Sequence, residues 1–213
     1  MYKRFFKRIF DLIISIVGLV LLSPVFLIVT IALFIANKGE PFFIQQRPGK
    51  EERLFSIIKF KTMNNKVDTE GNLLPDSKRL TAVGKFVRKT SLDELPQFIN
   101  VIRGHMSLVG PRPLLLEYLP MYDELQKRRH EVRPGITGLA QVKGRNRMLF
   151  SERLKNDVYY VDHVSLLLDI KIILLTIRSV LFKSGNVING QNVEAIDDIG
   201  LTRNLKSIQP GKN

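Results

Sequence analysis

Two adjacent carboxylates, Asp93 and Glu94, are the residues of this sequence with the clearest potential for chemistry. They lie in the segment Arg88-Lys-Thr-Ser-Leu-Asp-Glu-Leu-Pro-Gln, and the spacing of Ser91 and Glu94 matches a capping box. By itself this pattern predicts only the start of a helix that runs to about Ile102. Paired carboxylates can also bind Mg²⁺ together with substrate phosphates, which a helix N-terminus attracts as well. A plain helix start and a phosphoryl-transfer site both stay open.

Basic residues that could contact phosphate oxygens lie on both sides of this pair along the chain. Arg88 precedes it, and Arg112 follows in Val-Gly-Pro-Arg-Pro, where two prolines restrict the backbone. Arginine suits phosphate because its planar guanidinium donates two parallel hydrogen bonds, although many such arginines only pair with a surface acid. Lys59 and Lys61 share one face of a predicted strand, which is either a solvated edge or a surface that faces an anion.

The composition narrows the classes of function. The 213 residues include 33 Lys and Arg against 20 Asp and Glu, which gives a net charge of +13 and a pI of about 10.1. This excess suits nucleic acid, anionic lipid or phosphorylated substrates, and its spread along the chain disfavours a nucleic-acid-binding tail. Without cysteine the chain has neither disulfides nor thiolate chemistry, and its three histidines lack the spacing of a zinc site.

The first element that must position the site is a long apolar run behind a basic N-terminus. Residues 12–35 contain no charge and would form a helix of roughly 36 Å, against a hydrocarbon thickness of about 30 Å. This length exceeds the apolar core of a cleaved signal peptide. Pro24 cannot donate to the Val20 carbonyl, so it predicts a kink or break, where Ser23 could satisfy a freed backbone group.

Spanning and re-entrance are the two alternatives for this run. Basic residues precede it, and a full span from a cytoplasmic N-terminus would place the acid-bearing remainder outside the cell, away from any cytoplasmic nucleotide. A helix–break–helix that enters and leaves by the same face avoids this conflict. We therefore predict a re-entrant membrane helix over residues 1–36, broken at Ser23 and Pro24, in preference to a spanning helix.

Periodicity and turn residues predict the elements that follow. In order they are a β-hairpin from residues 42–46 and 54–61, a polar loop over 64–79, a short helix over 81–89, an irregular segment over 106–113, a helix over 114–132 interrupted at Pro120, a turn and short extended run over 133–142, and helices over 151–163 and 166–182. The last helix contains Asp169, Lys171 and Arg178, so we expect it to lie in a membrane interface, or else in the core, and not to span. Residues beyond 185 are expected to form a polar, loosely attached tail.

Several motifs in a fixed order resemble those of the bacterial sugar transferase family, in particular its small monotopic phosphoglycosyltransferases. They cover the chain from its start to about residue 185, and their combination is far more specific than any single motif. The matching residues are Lys7-Arg8 with Asp11, Ser23-Pro24, Gln46-Arg-Pro-Gly, Lys59-Phe-Lys-Thr-Met, Arg88 with Ser91-Leu-Asp-Glu-Leu-Pro-Gln, Val109-Gly-Pro-Arg-Pro and Arg133-Pro-Gly-Ile-Thr-Gly.

The resemblance implies a reaction, a cofactor and roles for individual residues. A phosphosugar would pass from a UDP-sugar to a polyprenol phosphate such as undecaprenyl phosphate, with release of UMP and with Mg²⁺ as the cofactor. Asp93 matches the nucleophile that carries a covalent phosphosugar, Glu94 matches its essential neighbour, and both are implied as metal ligands. Further candidates are Lys59, Arg88, Arg112 and Arg145 for phosphate contacts and Asp157 for shaping the site.

The expected architecture is mostly α with a small β-hairpin. It comprises the re-entrant helix over 1–36, a cytoplasmic catalytic domain with interfacial amphipathic helices over 37–184, and a polar tail over 185–213, on the cytoplasmic face of the bacterial inner membrane. Anionic lipids are expected partners, nucleic acid is not, and association between copies of the chain stays open. One departure from the family is His105, where an acid is usual; if that acid supports the site, metal affinity or geometry would differ here.

Two other classes of function stay open from the sequence. A membrane-anchored basic nucleic-acid-binding protein would explain the charge, but it would need basic and aromatic residues interleaved or a known reader motif. A non-catalytic membrane scaffold of the same fold would keep the apolar elements and lose the acids, whereas Asp93 and Glu94 are both present. UMP release from UDP-sugars separates these alternatives from an enzyme.

Overall fold

The computed structural model describes residues 1–144, 148–182 and 197–201. In these ranges the chain is mostly helical, with two two-stranded sheets. The helices are α1 Lys7–Leu21, α2 Ser23–Ala36, α3 Asp76–Arg79, α4 Ala82–Lys89, α5 Gln97–Ile102, α6 Glu124–Lys127, α7 Leu139–Gly144, α8 Phe150–Asp162 and α9 Leu166–Phe182. The strands are β1 Phe42–Pro48, β2 Leu54–Phe60, β3 Ser107–Val109 and β4 Gly135–Thr137. Turns of 3₁₀ helix lie at Lys50–Glu52, Leu92–Glu94, Leu116–Met121 and Arg128–Glu131.

The predicted break at Ser23 and Pro24 is confirmed. A π-helical turn, Tyr2–Phe6, leads into α1, and α1 and α2 meet at an angle of 64°. Pro24 lies in the first turn of α2, where its missing N–H costs no hydrogen bond, and the Ser23 hydroxyl donates to the Val20 carbonyl at 2.7 Å. Among the described residues, no single helix has the length and composition to cross a membrane, whereas this bent pair has both when taken together.

Charged residues at the start of α1 fix that helix to the rest of the protein. The Lys7 ammonium lies 2.6 Å from a carboxylate oxygen of Asp169 on α9, and both residues are buried. Asp11, one turn further on, accepts hydrogen bonds from the Ser107 hydroxyl at 2.7 Å and from the Leu108 backbone N–H at 3.1 Å. These ion-pair and hydrogen-bond partners offset the cost of removing the charged groups from water. Lys7 is therefore an internal ion-pair partner. It is not one of the free basic residues from which the sequence analysis placed the N-terminus in the cytoplasm.

The outward faces of α1, α2 and α9 are apolar and exposed. Among them Val20 and Leu21 are 66% and 73% exposed, Ile35 is 73% exposed, and Leu167 and Leu181 are 81% and 67% exposed. Exposed apolar side chains concentrated on a few helices are typical of a surface that contacts lipid or another protein.

The predicted hairpin is formed by β1 and β2, which pair antiparallel with Phe42 opposite Phe60 and Phe43 opposite Lys59. Opposite residues in such a pair share a face, so Phe43, Lys59 and, two residues further, Lys61 point to the same side. The other face carries Phe42 and Phe60, whose rings stack at 5.5 Å between centroids and also contact a phenyl ring of α2. The hairpin is thereby attached to α2 by one face and presents both lysines on the other, as predicted.

A second sheet pairs β4 in parallel with β3, and β3 lies where the sequence predicts an irregular segment at 106–113. Strands of three residues are too short for an alternating pattern to identify them. Gly110 and Gly135 let the two backbones approach closely, because a Cβ on Gly135 would lie 2.1 Å from the Gly110 nitrogen. This close approach fixes the segment that carries Arg112, two residues beyond Gly110.

The segments on either side of β4 differ from the predicted elements. Residues 114–132 form two 3₁₀ turns around α6 and not one interrupted helix, with Pro120 inside the first turn. Asp123 restarts the chain as α6 through a capping box with Gln126. The extended run is confirmed at β4, but residues 139–144 form α7 and not an extension of that strand.

Helices α8 and α9, which agree closely with the predicted ranges, cover the parallel strands and complete the core. Tyr160 of α8 and Ile172 of α9 are 1% and 0% exposed, and they belong to one apolar cluster with Val109 and Leu139. The prediction of a loosely attached tail is wrong for residues 197–201. Leu201 is 2% exposed within a second apolar cluster, because this short segment packs on α8 and the turns before α6.

Candidate active site

The turn that carries Asp93 and Glu94 differs from the predicted capping box. Ser91 adopts the left-handed conformation, with φ at 58°, and its side chain makes no capping hydrogen bond. The two carboxylates lie on a separate 3₁₀ turn, Leu92–Glu94, between α4 and α5. A left-handed conformation is unfavourable for serine and is typical of functional segments held by their surroundings. The reversal at Ser91 leaves the Glu94 side chain free to contact groups distant in sequence.

Glu94 joins two cations that come from different elements. Its Oε1 accepts a hydrogen bond from the Arg112 guanidinium at 2.7 Å and lies 3.2 Å from the Lys59 ammonium of β2. The Glu94, Lys59 and Arg112 side chains are 18%, 23% and 40% exposed. Burial alone would raise the pKa of Glu94, but the charges and hydrogen bonds of Arg112 and Lys59 outweigh it and hold that pKa well below its usual range. Glu94 is therefore a permanent anion that fixes two cations.

Asp93, directly beside it, accepts no hydrogen bond from any described residue. Burial, followed by the negative charge of Glu94, raises the pKa of Asp93 to about 6, although Lys59, Arg112 and Arg88 lower it. Two carboxylates on one turn thus have different environments. One is held by cations, whereas the other has its oxygens available and is destabilised as an anion, which suits an attacking group.

The remaining basic candidates next to the carboxylates are also placed by specific contacts. The Arg88 guanidinium donates to the Thr62 hydroxyl at 2.7 Å and lies close enough to Asp93 to lower its pKa. Burial and the nearby Arg112 charge lower the pKa of Lys59, although Glu94 opposes them. The structure therefore brings together Lys59, Arg88 and Arg112 around the carboxylate pair, as the sequence predicts.

Arg129 is an organising residue that the sequence reasoning missed. It is 2% exposed, and its guanidinium donates to the Asp157 carboxylate at 2.8 and 3.1 Å and to the backbone carbonyl of Arg112 at 2.7 Å. Asp157 is thus linked to the Arg112 segment through Arg129, and its role in shaping the site stays a prediction. In the sequence, the basic run at 127–130 is explained by the dipole at a helix C-terminus. Nothing in its spacing distinguishes the buried Arg129 from its neighbours, so no local signal could have identified it.

Two other sequence predictions have different outcomes. Arg145 lies outside the described residues. His105, expected to affect the site if an acid were needed there, is at the far end of α5, with its ring 5.8 Å from that of Phe55. His105 does not line the cleft into which the carboxylates open. Its expected effect on the site stays a prediction.

The carboxylate pair opens into a cleft of about 1140 Å³. The cleft is strongly basic, since among the described residues eight cations line it against three acids, which favours a polyanionic ligand. The cations are Arg47, Lys59, Lys61, Arg79, Arg88, Lys89, Arg112 and Arg153, and the acids are Asp93, Glu94 and Asp157. Helix α9 adds a neutral wall, since its Thr176 and Ser179 line the cleft, whereas its Asp169 binds Lys7.

The metal-binding capacity of the described residues is limited. They contain no group of three or more His, Asp or Glu that could hold an ion by protein ligands alone. Mg²⁺, however, is commonly bound through one or two carboxylates together with substrate phosphates and water. The available oxygens of Asp93, beside Glu94 and within a basic cleft, fit that mode of binding.

Comparisons with known proteins show the family to which the chain is similar. The family model described as "Bacterial sugar transferase" matches residues 2–183. The chain is 51% identical over 180 residues to the "Uncharacterized sugar transferase EpsL" of Bacillus subtilis, an alignment that covers 84% of this chain and 89% of EpsL.

Two longer relatives are similar over part of their length. The chain is 42% identical to the "Galactosyl transferase CpsE" of Streptococcus agalactiae, over 84% of this chain and 43% of CpsE. It is 40% identical to the "UDP-glucose:undecaprenyl-phosphate glucose-1-phosphate transferase" of Klebsiella pneumoniae, over 81% of this chain and 39% of that protein. The chain therefore spans about two fifths of these two relatives and most of EpsL.

Proposed function

Because the chain belongs to the bacterial sugar transferase family, we propose that it transfers a phosphosugar from a UDP-sugar to a polyprenol phosphate and releases UMP. The observation that carries this proposal is the contrast between the two adjacent carboxylates. Asp93 has available oxygens, whereas Glu94 is held by Lys59 and Arg112. The names of these two relatives refer to different sugars, galactose and glucose, so the sugar itself stays open.

The reaction takes place in two displacements at the same phosphorus. An Asp93 carboxylate oxygen bonds to the sugar-bearing phosphorus of the UDP-sugar, the bond from that phosphorus to the bridging oxygen breaks, and UMP leaves with that oxygen. A phosphate oxygen of the polyprenol phosphate then bonds to the same phosphorus, and the bond to Asp93 breaks to restore the carboxylate. Splitting the transfer in this way keeps the two polyanionic substrates from having to meet in one complex.

Lys59 and Arg112 would stabilise charge on the phosphoryl group during both displacements. Glu94 keeps these two cations at the site before substrate arrives, so they need not reorganise when charge develops. Arg112 is also held from behind by the buried pair of Arg129 and Asp157. Arg88 is a further phosphate contact in this scheme.

Mg²⁺ fits the proposal as a cofactor held by Asp93, with Glu94 beside it, and by the substrate phosphates. When bound, the ion would neutralise charge on the transferring phosphoryl group and on the departing UMP. The chain's own contribution is to keep a carboxylate accessible on a turn whose other acid is already neutralised by cations.

The exposed apolar faces of α1, α2 and α9 support a location at the cytoplasmic face of the inner membrane, with α1 and α2 as a re-entrant pair. The buried contacts of α1 with α9 and with β3 keep the start of that pair on the same side as the active site. Anionic headgroups would be attracted by the net charge of +13.

Two measurements test the proposed reaction. Purified chain is incubated with Mg²⁺, polyprenol phosphate and a panel of UDP-sugars, and UMP release is measured; the mass of the Asp93 peptide is then determined after incubation without lipid. We expect UMP release with at least one sugar and a phosphosugar adduct on Asp93. Asp93→Asn should abolish both, whereas Asp76→Asn, an exposed acid 77% accessible on α3, is the matched control. Full activity of Asp93→Asn would refute the assignment.

A further inference from the structure

The cleft that contains the carboxylates has apolar side chains at its edge. Phe43 of β1 and Val180 of α9 line the cleft and are 43% and 39% exposed. A partly open phenyl ring beside so many cations does not serve a phosphate or a sugar hydroxyl. It fits a ligand that is apolar at one end and anionic at the other.

Phe43 is placed directly beside the charged centre by the register of the hairpin. It is opposite Lys59, with which it shares a face, and Lys59 is the residue that contacts Glu94. Lys61 lies on the same face and also lines the cleft. An apolar surface and at least two ammonium groups are thus adjacent on one side of a single hairpin.

Val180 connects the cleft to a larger apolar surface. It follows Ser179, which lines the cleft, whereas Ile177 and Leu181 on the same helix are 50% and 67% exposed. The outward face of α9 therefore continues into the cleft at Val180. An apolar chain that lies on that face can therefore reach the cleft at Val180.

On these observations, and resting on the proposed function, we propose that Phe43 and Val180 bind the first isoprene units of the polyprenol phosphate. The lipid phosphate enters among the cleft cations, which outnumber the acids by eight to three in the part of the chain that the structure describes, and the isoprenoid chain leaves over these two side chains. The UDP-sugar has no apolar chain to place there. Stacking of the uracil ring on Phe43 is the competing use of the same surface, and the two uses affect different half-reactions.

The experiment separates the half-reactions in the full-length protein. Phe43→Ser, Val180→Ser and the conservative Phe43→Leu are compared with Phe86→Ser, a control at an exposed phenylalanine of α4 that does not line the cleft. Adduct formation and UMP release are measured without lipid. Transfer from the preformed adduct is measured against polyprenol phosphate concentration at fixed detergent.

We expect the serine variants to raise KM for polyprenol phosphate by about tenfold at Phe43 and about threefold at Val180, from the apolar area that lipid would cover. Adduct formation should be unchanged, Phe43→Leu should restore most of the lipid affinity, and Phe86→Ser should match the wild type. Slower adduct formation in Phe43→Ser would overturn the inference in favour of uracil stacking. An unchanged KM for lipid in both serine variants would also overturn it. A wild-type protein that releases no UMP from any UDP-sugar would instead refute the proposed function.

Discussion

Asp93→Asn should make the Mg²⁺-free protein more stable while it abolishes catalysis. Asp93 is pushed toward its neutral form by burial and by the adjacent charge of Glu94, and it accepts no hydrogen bond from the described residues that would be lost on substitution. Asparagine keeps the shape and removes the charge. A carboxylate that only caps a helix would behave differently, because asparagine is an equally good cap and would leave both stability and activity almost unchanged.

The pKa of Asp93 gives the size and the pH window of this effect. The pKa rises from the usual 3.8 to about 6 on folding. Below pH 3.8 the Asp93 carboxyl is mostly neutral in both the folded and the unfolded chain. As the pH rises toward 6, the unfolded chain ionises more readily than the folded one, so the stability contributed by the neutral form is lost. At about 1.4 kcal/mol per pKa unit the loss is roughly 3 kcal/mol, and partial exposure reduces our expectation to roughly 1–3 kcal/mol at neutral pH.

Thermal unfolding in detergent with a chelator, between pH 4 and pH 8, measures this difference. We expect Asp93→Asn to unfold at a higher temperature than the wild type at pH 7, by about 2–4 °C for each kcal/mol, and the difference should shrink as the pH falls to 4. Asp76→Asn is the control, since that side chain is exposed. A variant that is less stable than the wild type at pH 7 would refute the argument that Asp93 is an unfavourably placed anion.

Three further substitutions test other parts of the structure. Glu94→Gln should lower the rate of UMP release by about two orders of magnitude, because it removes the charge that holds two cations at the site; a variant with unchanged rate would contradict that role. Arg129→Met should destabilise the fold by about 3–5 kcal/mol in denaturant unfolding, because it leaves a buried carboxylate unpaired, and a loss below 1 kcal/mol would show that water replaces the guanidinium. Pro24→Ala favours a straight helix by about 3 kcal/mol. Single cysteines introduced at Phe5 and Lys38 should be labelled from the same side of the membrane when Pro24 is present. They should be labelled from opposite sides if Pro24→Ala produces the straight helix. Labelling from opposite sides with Pro24 present would exclude re-entrance.

Local signals predicted most of the elements that carry the site. The alternation on β2 placed Lys59 and Lys61 on one face, and the proline in an uncharged run located the break between α1 and α2. Both features depend on residues close together in sequence, so a short stretch of the chain is enough to predict each of them. The end of α5 at Ile102 was likewise predicted, and Gly104 just beyond it has φ at 86°, which is typical of a helix C-terminus.

What the sequence did not predict depends on contacts between distant segments. The capping box at Ser91 was wrong because Glu94 contacts Lys59 and Arg112 in place of the turn beside it. The pair of Arg129 and Asp157 joins residues 28 positions apart, and no local pattern distinguishes such an arginine from an exposed one. The strands β3 and β4 are too short for their periodicity to be recognised.

The contact between Lys7 and Asp169 also sets a limit on when the first helix can reach its final position during synthesis. The two residues are 162 positions apart, and Tyr2 donates to the same carboxylate across 167 positions. At a synthesis rate of roughly 5–20 residues per second, the first helix leaves the ribosome roughly 10–30 s before its partner exists. Until Asp169 is synthesised, Tyr2 and Lys7 lack this partner, although the apolar run behind them is already complete. The contact of the first helix with α9 is therefore among the last of its long-range contacts that synthesis allows.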